Sequence, residues 1–149
     1  MTYEKIAVTG GGGLLGKHVV KLLSNYATVT IIDIKKPVSQ DRLPVRFIEA
    51  SITNFEKMKN ALRGHDALIH LAAIPNPREA SLELTFNTNV QGAWTVMQAA
   101  EEVGIKRAVV ASSDSVFGLS YNPPDWKPQF LPVDETHATR PTEVYSLSK

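Results

Sequence analysis

Short apolar runs alternate with stretches of helical period along the chain. Ile6–Thr9, Val29–Ile32, Val45–Ile48, Ala67–Leu71 and Arg107–Ala111 each read as a short buried strand. Between the first two, Leu15, Val19, Leu22 and Leu23 recur at helical spacing. After the third, Thr53 and Glu56 have capping-box spacing. Phe55, Met58 and Leu62 then supply an apolar face, and Gly64 suits the C-terminal cap. After the fourth strand the pattern predicts one long helix, from about Ser81 to Val103. Its expected inward stripe is Leu82, Phe86, Val90, Trp94, Met97 and Ala100. Continuous apolar strands separated by helices imply a parallel sheet covered on both faces. Right-handed crossovers then favour an α/β doubly wound fold of strand order 3-2-1-4-5. The segment from Gly118 to Pro141 has no period and holds five of the nine prolines, with Tyr121, Trp126 and Phe130 among them. It reads as a long irregular loop, either functional or a surface insertion without a role.

Composition narrows the function. The 149 residues fit one domain, and 43% of them are hydrophobic. Sixteen basic residues against fifteen acidic ones leave no electrostatic footprint for nucleic acid or an anionic membrane. The chain has no cysteine, which excludes disulfides, thiolate metal sites and thiol nucleophiles, and no metal is expected. Met1 to Ile6 runs straight into the first strand without a leader pattern, and no apolar run approaches membrane-spanning length. The expected location is cytoplasmic.

Thr9 to Gly16 lies between the first strand and the first helix, with Gly10, Gly13 and Gly16 spaced G-x-x-G-x-x-G. A tight turn favours a residue without Cβ at Gly10. Close approach to a pyrophosphate favours one at Gly13, and helix–strand packing favours one at Gly16. The helix start at Leu14 and Leu15 then offers backbone N–H groups to phosphate. Asp33 lies at the end of the second strand, 23 residues beyond Gly10. A carboxylate there accepts from ribose hydroxyls and repels a 2′-phosphate, so it favours NAD over NADP. Lys35 and Lys36 weaken that preference, because a nearby cation can hold a phosphate.

Tyr145 and Lys149 stand at i and i+4, a spacing that puts both on one helix face. An ammonium beside a phenol favours the phenolate, the form that takes a proton. Ser112 to Gly118 directly follows the fifth strand, so a hydroxyl there points into the crevice where such sheets bind ligands.

With these motifs in order, the chain resembles the extended short-chain dehydrogenase/reductases of Rossmann fold. Within them it is closest to the NAD-dependent nucleoside-diphosphate-sugar epimerases and dehydratases. Thr9–Gly16 is similar to the family's T-G-x-x-G-x-x-G loop, and His70 with Leu71, Ala72 and Ala73 to its segment beside the adenosine. Asn87–Gly92 resembles its N-x-N-V-x-G helix, whose second asparagine, here Asn89, supports the site next to the cofactor. Ser112–Gly118 resembles S-S-x-x-V-Y-G, with Phe117 in place of Tyr. The resemblance implies that Ser113 hydrogen-bonds the reacting hydroxyl and that Tyr145 removes its proton. It implies that Lys149 binds the nicotinamide ribose and holds Tyr145 ionised. Ser51 stands where the family often has an adenine-contacting Asp, so adenine would rely on the backbone around Ile52. The dehydratases' T-D-E corresponds to Ser113, Asp114 and Ser115. The Glu is missing, which counts against dehydratase, and Asp114 reads more simply as a turn residue.

The resemblance ends at Lys149, so residues 1–149 are expected to be the NAD-binding domain of a longer enzyme. Later strands and a substrate lobe would be absent. That enzyme would take a small-molecule substrate, a nucleotide sugar, and form a homodimer through the long helix and the Tyr145 helix. Two other readings stand beside it. One is a non-catalytic dinucleotide-binding or sensor module. The other is an NAD(P)-dependent reductase of a non-sugar ketone.

Overall fold

The computed structural model describes residues 3–37, 44–121 and 123–149. Met1 and Thr2, from the start read as leaderless, and Asn122 of the proline-rich loop lie outside the described residues. Five parallel strands form one sheet: β1 Lys5–Thr9, β2 Thr28–Asp33, β3 Arg46–Glu49, β4 Ala67–His70 and β5 Arg107–Val110. Their order is β3-β2-β1-β4-β5, as the pattern predicts. Successive side chains alternate between two cores. Ile6, Val8, Val29 and Ile31 pack with Val20 of α1 (Leu14–Leu23) on one face. Ala7, Ile32 and Leu68 pack on the other face with Met58 and Leu62 of α2 (Phe55–Leu62). Val96, Ala99 and Ala100 of α4 (Gly92–Glu102) complete that core.

Three helical expectations are corrected. In α1 the fully buried positions are Gly16 and Val20, while Leu15 and Leu22 face outward. The α2 cap is Asn54, one residue beyond Thr53: its side chain accepts from Lys57 N at 3.0 Å. Thr53 Oγ1 instead lies 2.8 Å from Ser51 Oγ.

The long helix is interrupted. Ser81 caps α3 (Leu82–Phe86), and a wide π turn follows at Asn87–Gln91, in which Gly92 N donates to Asn87 O. Only then does α4 begin. The uniform stripe does not hold, and it fails already before the turn, where Leu82 and Phe86 are exposed. Thr85, Asn89, Thr95, Val96 and Ala99 face inward, and Trp94 is 68% exposed.

β5 also departs from expectation. It is an edge strand whose four residues are all exposed, Val109 at 63%. The three interior strands, β2, β1 and β4, are buried along most of their length, and the other edge strand, β3, is half-buried at Phe47 and Ile48.

The Gly118–Pro141 segment is irregular but anchored. Gly118 turns the chain with φ +68°, and Arg140 N donates to Val116 O at 2.8 Å. His137 is buried between them. Its Nδ1 donates to Ala138 O (2.9 Å) and its Nε2 accepts from Gln129 N (3.1 Å). Its ring packs against Phe117 and Phe130 at 5.5 and 5.2 Å. This clamp was not legible in the sequence.

Candidate active site

A cleft of about 1060 Å³ opens at the carboxyl ends of β1, β2 and β3. Its floor starts at the glycine turn. Gly10 has φ +68° and donates to Ile32 O at 2.9 Å. A Cβ there would stand 2.6 Å from Ala72 N, so only glycine lets the turn approach the β4 end this closely. Gly13 is the N-cap of α1, and no side chain caps it. No side chain therefore occupies the first-turn N–H groups at Leu14 and Leu15 as a cap. The Leu14 and Leu15 side chains are exposed and do not line the cleft, and Gly16 is packed beneath the turn. Of the residues expected to bind cofactor, Gly10, Gly13, Asp33, Ser51, Ile52, Leu71, Ala72 and Ala73 line the cleft.

Asp33 is held before any ligand arrives. Gly12 N donates to its Oδ2 at 3.0 Å and Ile34 N to its Oδ1 at 2.8 Å. A Cβ on Gly12 would lie 3.1 Å from that Oδ2, so the loop is shaped around the carboxylate. Each oxygen keeps a lone pair for a further donor. Lys35 and Lys36 line the same end. The opposite wall comes from the α3 region, through Leu84, Asn87, Thr88 and Gln91, none of them singled out from sequence.

Asn89, expected both to support the site and to bind cofactor, does not line the cleft and takes a supporting place. It is 3% exposed and lies behind the cleft wall. Its Oδ1 accepts from Ile74 N (2.8 Å), and its Nδ2 donates to Ile74 O (3.1 Å) and to Ser148 Oγ (2.9 Å). It ties the cleft wall to the segment carrying Tyr145.

The residues expected from sequence to handle the proton lie on elements near the β5 end. Ser113 caps a 3-10 turn at Asp114–Phe117, accepting from Ser115 N at 3.2 Å. Asp114 accepts from Ser113 Oγ and Ser120 Oγ, both at 3.2 Å, as a turn residue does. The helix α5 (Val144–Leu147) packs against this turn and against α3. Glu143 caps α5 by accepting from Tyr145 N and Ser146 N at 2.6 and 2.7 Å. Tyr145 is 8% exposed. Lys149 lies past the last helical residue, a correction to the expected helical pair, and Ser112 Oγ donates to its carbonyl at 3.3 Å. Burial pushes the Lys149 ammonium below its ordinary range.

His70 lies at the end of β4, 4% exposed, with Nδ1 2.6 Å from the buried Thr9 Oγ1. Burial first, and the Lys149 charge second, push it down to about 4. The imidazole is therefore neutral at neutral pH.

The cleft combines a glycine turn at an uncapped helix start with an anchored carboxylate at the end of β2, while Ser113, Tyr145 and Lys149 are not among its lining residues. Residues 6–149 match the NAD dependent epimerase/dehydratase family. The chain belongs to that family. Three curated relatives of this epimerase/dehydratase member show its range. The NAD-dependent glucose-6-phosphate dehydrogenase of Haloferax volcanii is 27% identical over 98% of this chain and 59% of its own length. The L-arabinose 1-dehydrogenase (NAD(P)(+)) of the same organism is 31% identical over 97% and 57%. The 3 beta-hydroxysteroid dehydrogenase/Delta 5-->4-isomerase of Vaccinia virus is 30% identical over 96% and 42%. A short-chain dehydrogenase/reductase superfamily protein from Agrobacterium tumefaciens, solved with bound NAD, superposes with a TM-score of 0.82 at 31% identity. It covers 98% of this chain and 42% of that one. The chain thus spans about half the length of the relatives it matches. Among the described residues, no helix is long and apolar enough to cross a membrane.

Proposed function

We propose that this chain binds NAD and carries the proton-transfer residues of a sugar oxidoreductase or sugar-nucleotide epimerase. The observation that carries the reading is Asp33, fixed by Gly12 and Ile34 in a cleft that starts at an uncapped helix. The pyrophosphate lies on Gly10 and Gly13 and on the N–H groups of Leu14 and Leu15. The ribose hydroxyls bond Asp33, and the carboxylate excludes a 2′-phosphate. The base lies against Ser51 and Ile52, and Leu71, Ala72 and Ala73 pack along the adenosine.

At the other end, Ser113 reorients its hydroxyl toward the substrate hydroxyl. Tyr145 takes the proton from that hydroxyl. Lys149 bonds the nicotinamide ribose and stabilises the Tyr145 phenolate. Asn89 holds Ile74 and Ser148 so that this set keeps its place relative to the cleft. Bound NAD supplies the hydride acceptor.

The complete enzyme, on this reading, has a substrate lobe matching the remaining length of its relatives. The 149 residues alone bind NAD chiefly through its adenosine half and turn over little. The apolar exposed edge of β5 supports a further layer of chain there. The outward Leu82, Phe86 and Trp94 support a homodimer through the α3–α4 face.

A substrate panel of free, phosphorylated and nucleotide-linked sugars tests the function. Net NADH marks a dehydrogenase. Isomer exchange without net NADH marks an epimerase. The steroid dehydrogenase relative supports a second reading, a non-sugar alcohol substrate, so a hydroxysteroid belongs in the panel. No turnover of any sugar by the native-length protein overturns the sugar reading.

A further inference from the structure

We infer that the base end of the cleft accepts either hydrogen-bonding pattern of a purine, so that the hypoxanthine analogue of NAD binds nearly as well as NAD. The inference rests on the proposal that the cleft holds a dinucleotide, and it concerns which base that dinucleotide carries.

The strand order places the base. The glycine turn ends β1, Asp33 ends β2, and Ser51–Thr53 follow β3, the next strand outward. Pyrophosphate, ribose and base therefore follow the sheet in that order. The floor beneath the base is fixed. Ile52 is buried, and a Cβ on Gly92 would meet its Cδ1 at 2.6 Å, so the start of α4 is seated directly on it.

The charged side chains among the described cleft residues are Asp33, Lys35 and Lys36, all at the β2 end. The base end instead offers Ser51 and Thr53, with Asn87 and Gln91 on the facing wall. Each of these groups both donates and accepts. Ser51 Oγ and Thr53 Oγ1 are 2.8 Å apart, and either can be the donor. If Ser51 donates to Thr53, the Thr53 proton points outward. If Thr53 donates to Ser51, the Ser51 proton does. In both states Thr53 N donates to Ser51 Oγ at 3.3 Å, so reversing the pair costs only hydroxyl rotation.

Adenine presents an amino donor at C6 and an acceptor at N1, and hypoxanthine presents the reverse. A carboxylate at this position would accept only, leaving the hypoxanthine carbonyl facing a negative charge. A reversible hydroxyl pair satisfies either edge.

Calorimetric titration of the full chain with NAD and with nicotinamide hypoxanthine dinucleotide tests this. The dissociation constants should agree to within about fivefold, far from the rejection shown by sites built on a one-way hydrogen bond. In Ser51→Asp the analogue should weaken relative to NAD by about tenfold or more, as an acceptor-only group faces its carbonyl. NAD binding with the analogue more than about fivefold weaker in the wild-type chain overturns the inference and leaves the cofactor reading standing. Binding of neither dinucleotide overturns both. An unchanged ratio in a folded Ser51→Asp shows that the pair does not contact the base, which also overturns the inference.

Discussion

Acid should loosen this protein partly through one side chain, His70. In the fold its proton affinity falls from the ordinary 6.5 to about 4, through burial and then the Lys149 charge. The folded state binds that proton more weakly than the unfolded chain. Stability is therefore whole above about pH 6.5 and is lost as the pH falls toward about 4. Between pH 7 and about pH 4.5 this one group removes about 2 to 3 kcal/mol. Other groups also respond to acid, His65 among them, since burial pushes it down as well. Replacing His70 with asparagine isolates the effect. The amide reaches roughly where Nδ1 stands, so the bond to Thr9 Oγ1 persists while the titration does not. At pH 7 the variant should be the less stable protein, because a buried ring has been trimmed. By about pH 4.5 the gap should shrink by about 2 kcal/mol, with His65 and the carboxylates contributing equally to both chains. Urea unfolding followed by circular dichroism at the two pH values measures it. A gap constant to within about 0.5 kcal/mol would refute the claim that the fold holds His70 neutral at a cost.

Asn89→Ala should cost about 2–4 kcal/mol in a thermal or urea melt, because it strands the Ile74 N–H and C=O behind the cleft wall. Asp33→Asn should lower the preference for NAD over NADP by about tenfold in binding titrations, since the amide no longer repels a 2′-phosphate. An unchanged ratio would remove Asp33 from the ribose. Gly10→Ala should weaken NAD binding and lower stability by at least about 1–2 kcal/mol, because φ +68° is strained for alanine and its Cβ meets Ala72 N. Tyr145→Phe in the native-length enzyme should lower turnover by about 10²-fold or more while NAD affinity changes little. Equal losses in both would mean a structural role.

The sheet was readable because each strand is a local apolar run and because parallel crossovers restrict the order. The positions of the glycine turn and Asp33 at the cleft were readable for a similar reason: each lies at the end of a strand that a local apolar run locates. What escaped was set by distant partners. The Asn87–Gln91 turn widens where Asn89 reaches both Ile74 and Ser148, and no periodicity announces that. Thr53 looked like a cap, yet it lies beside Ser51, and Asn54 takes the role one residue later. β5 has the apolar content of an interior strand and lies at an edge. His137 and the His70–Thr9 bond join residues 8 and 61 positions or more from the groups they hold.

The wide turn at Asn87–Gln91 behaves like a reading frame for the helix that follows it. It takes up one residue more than an ordinary turn, so deleting one residue within it would restore an ordinary helix with Gly92–Glu102 in nearly its present phase, whereas losing Gly92 or Ala93 would rotate the rest by about 100°. Trp94 would swing toward the sheet, and Val96 and Ala99 away from it. A chimera that joins this cleft to a foreign second half can therefore absorb the loss of one residue within 87–91, whereas the same loss farther along makes every later contact of the helix change partner at once.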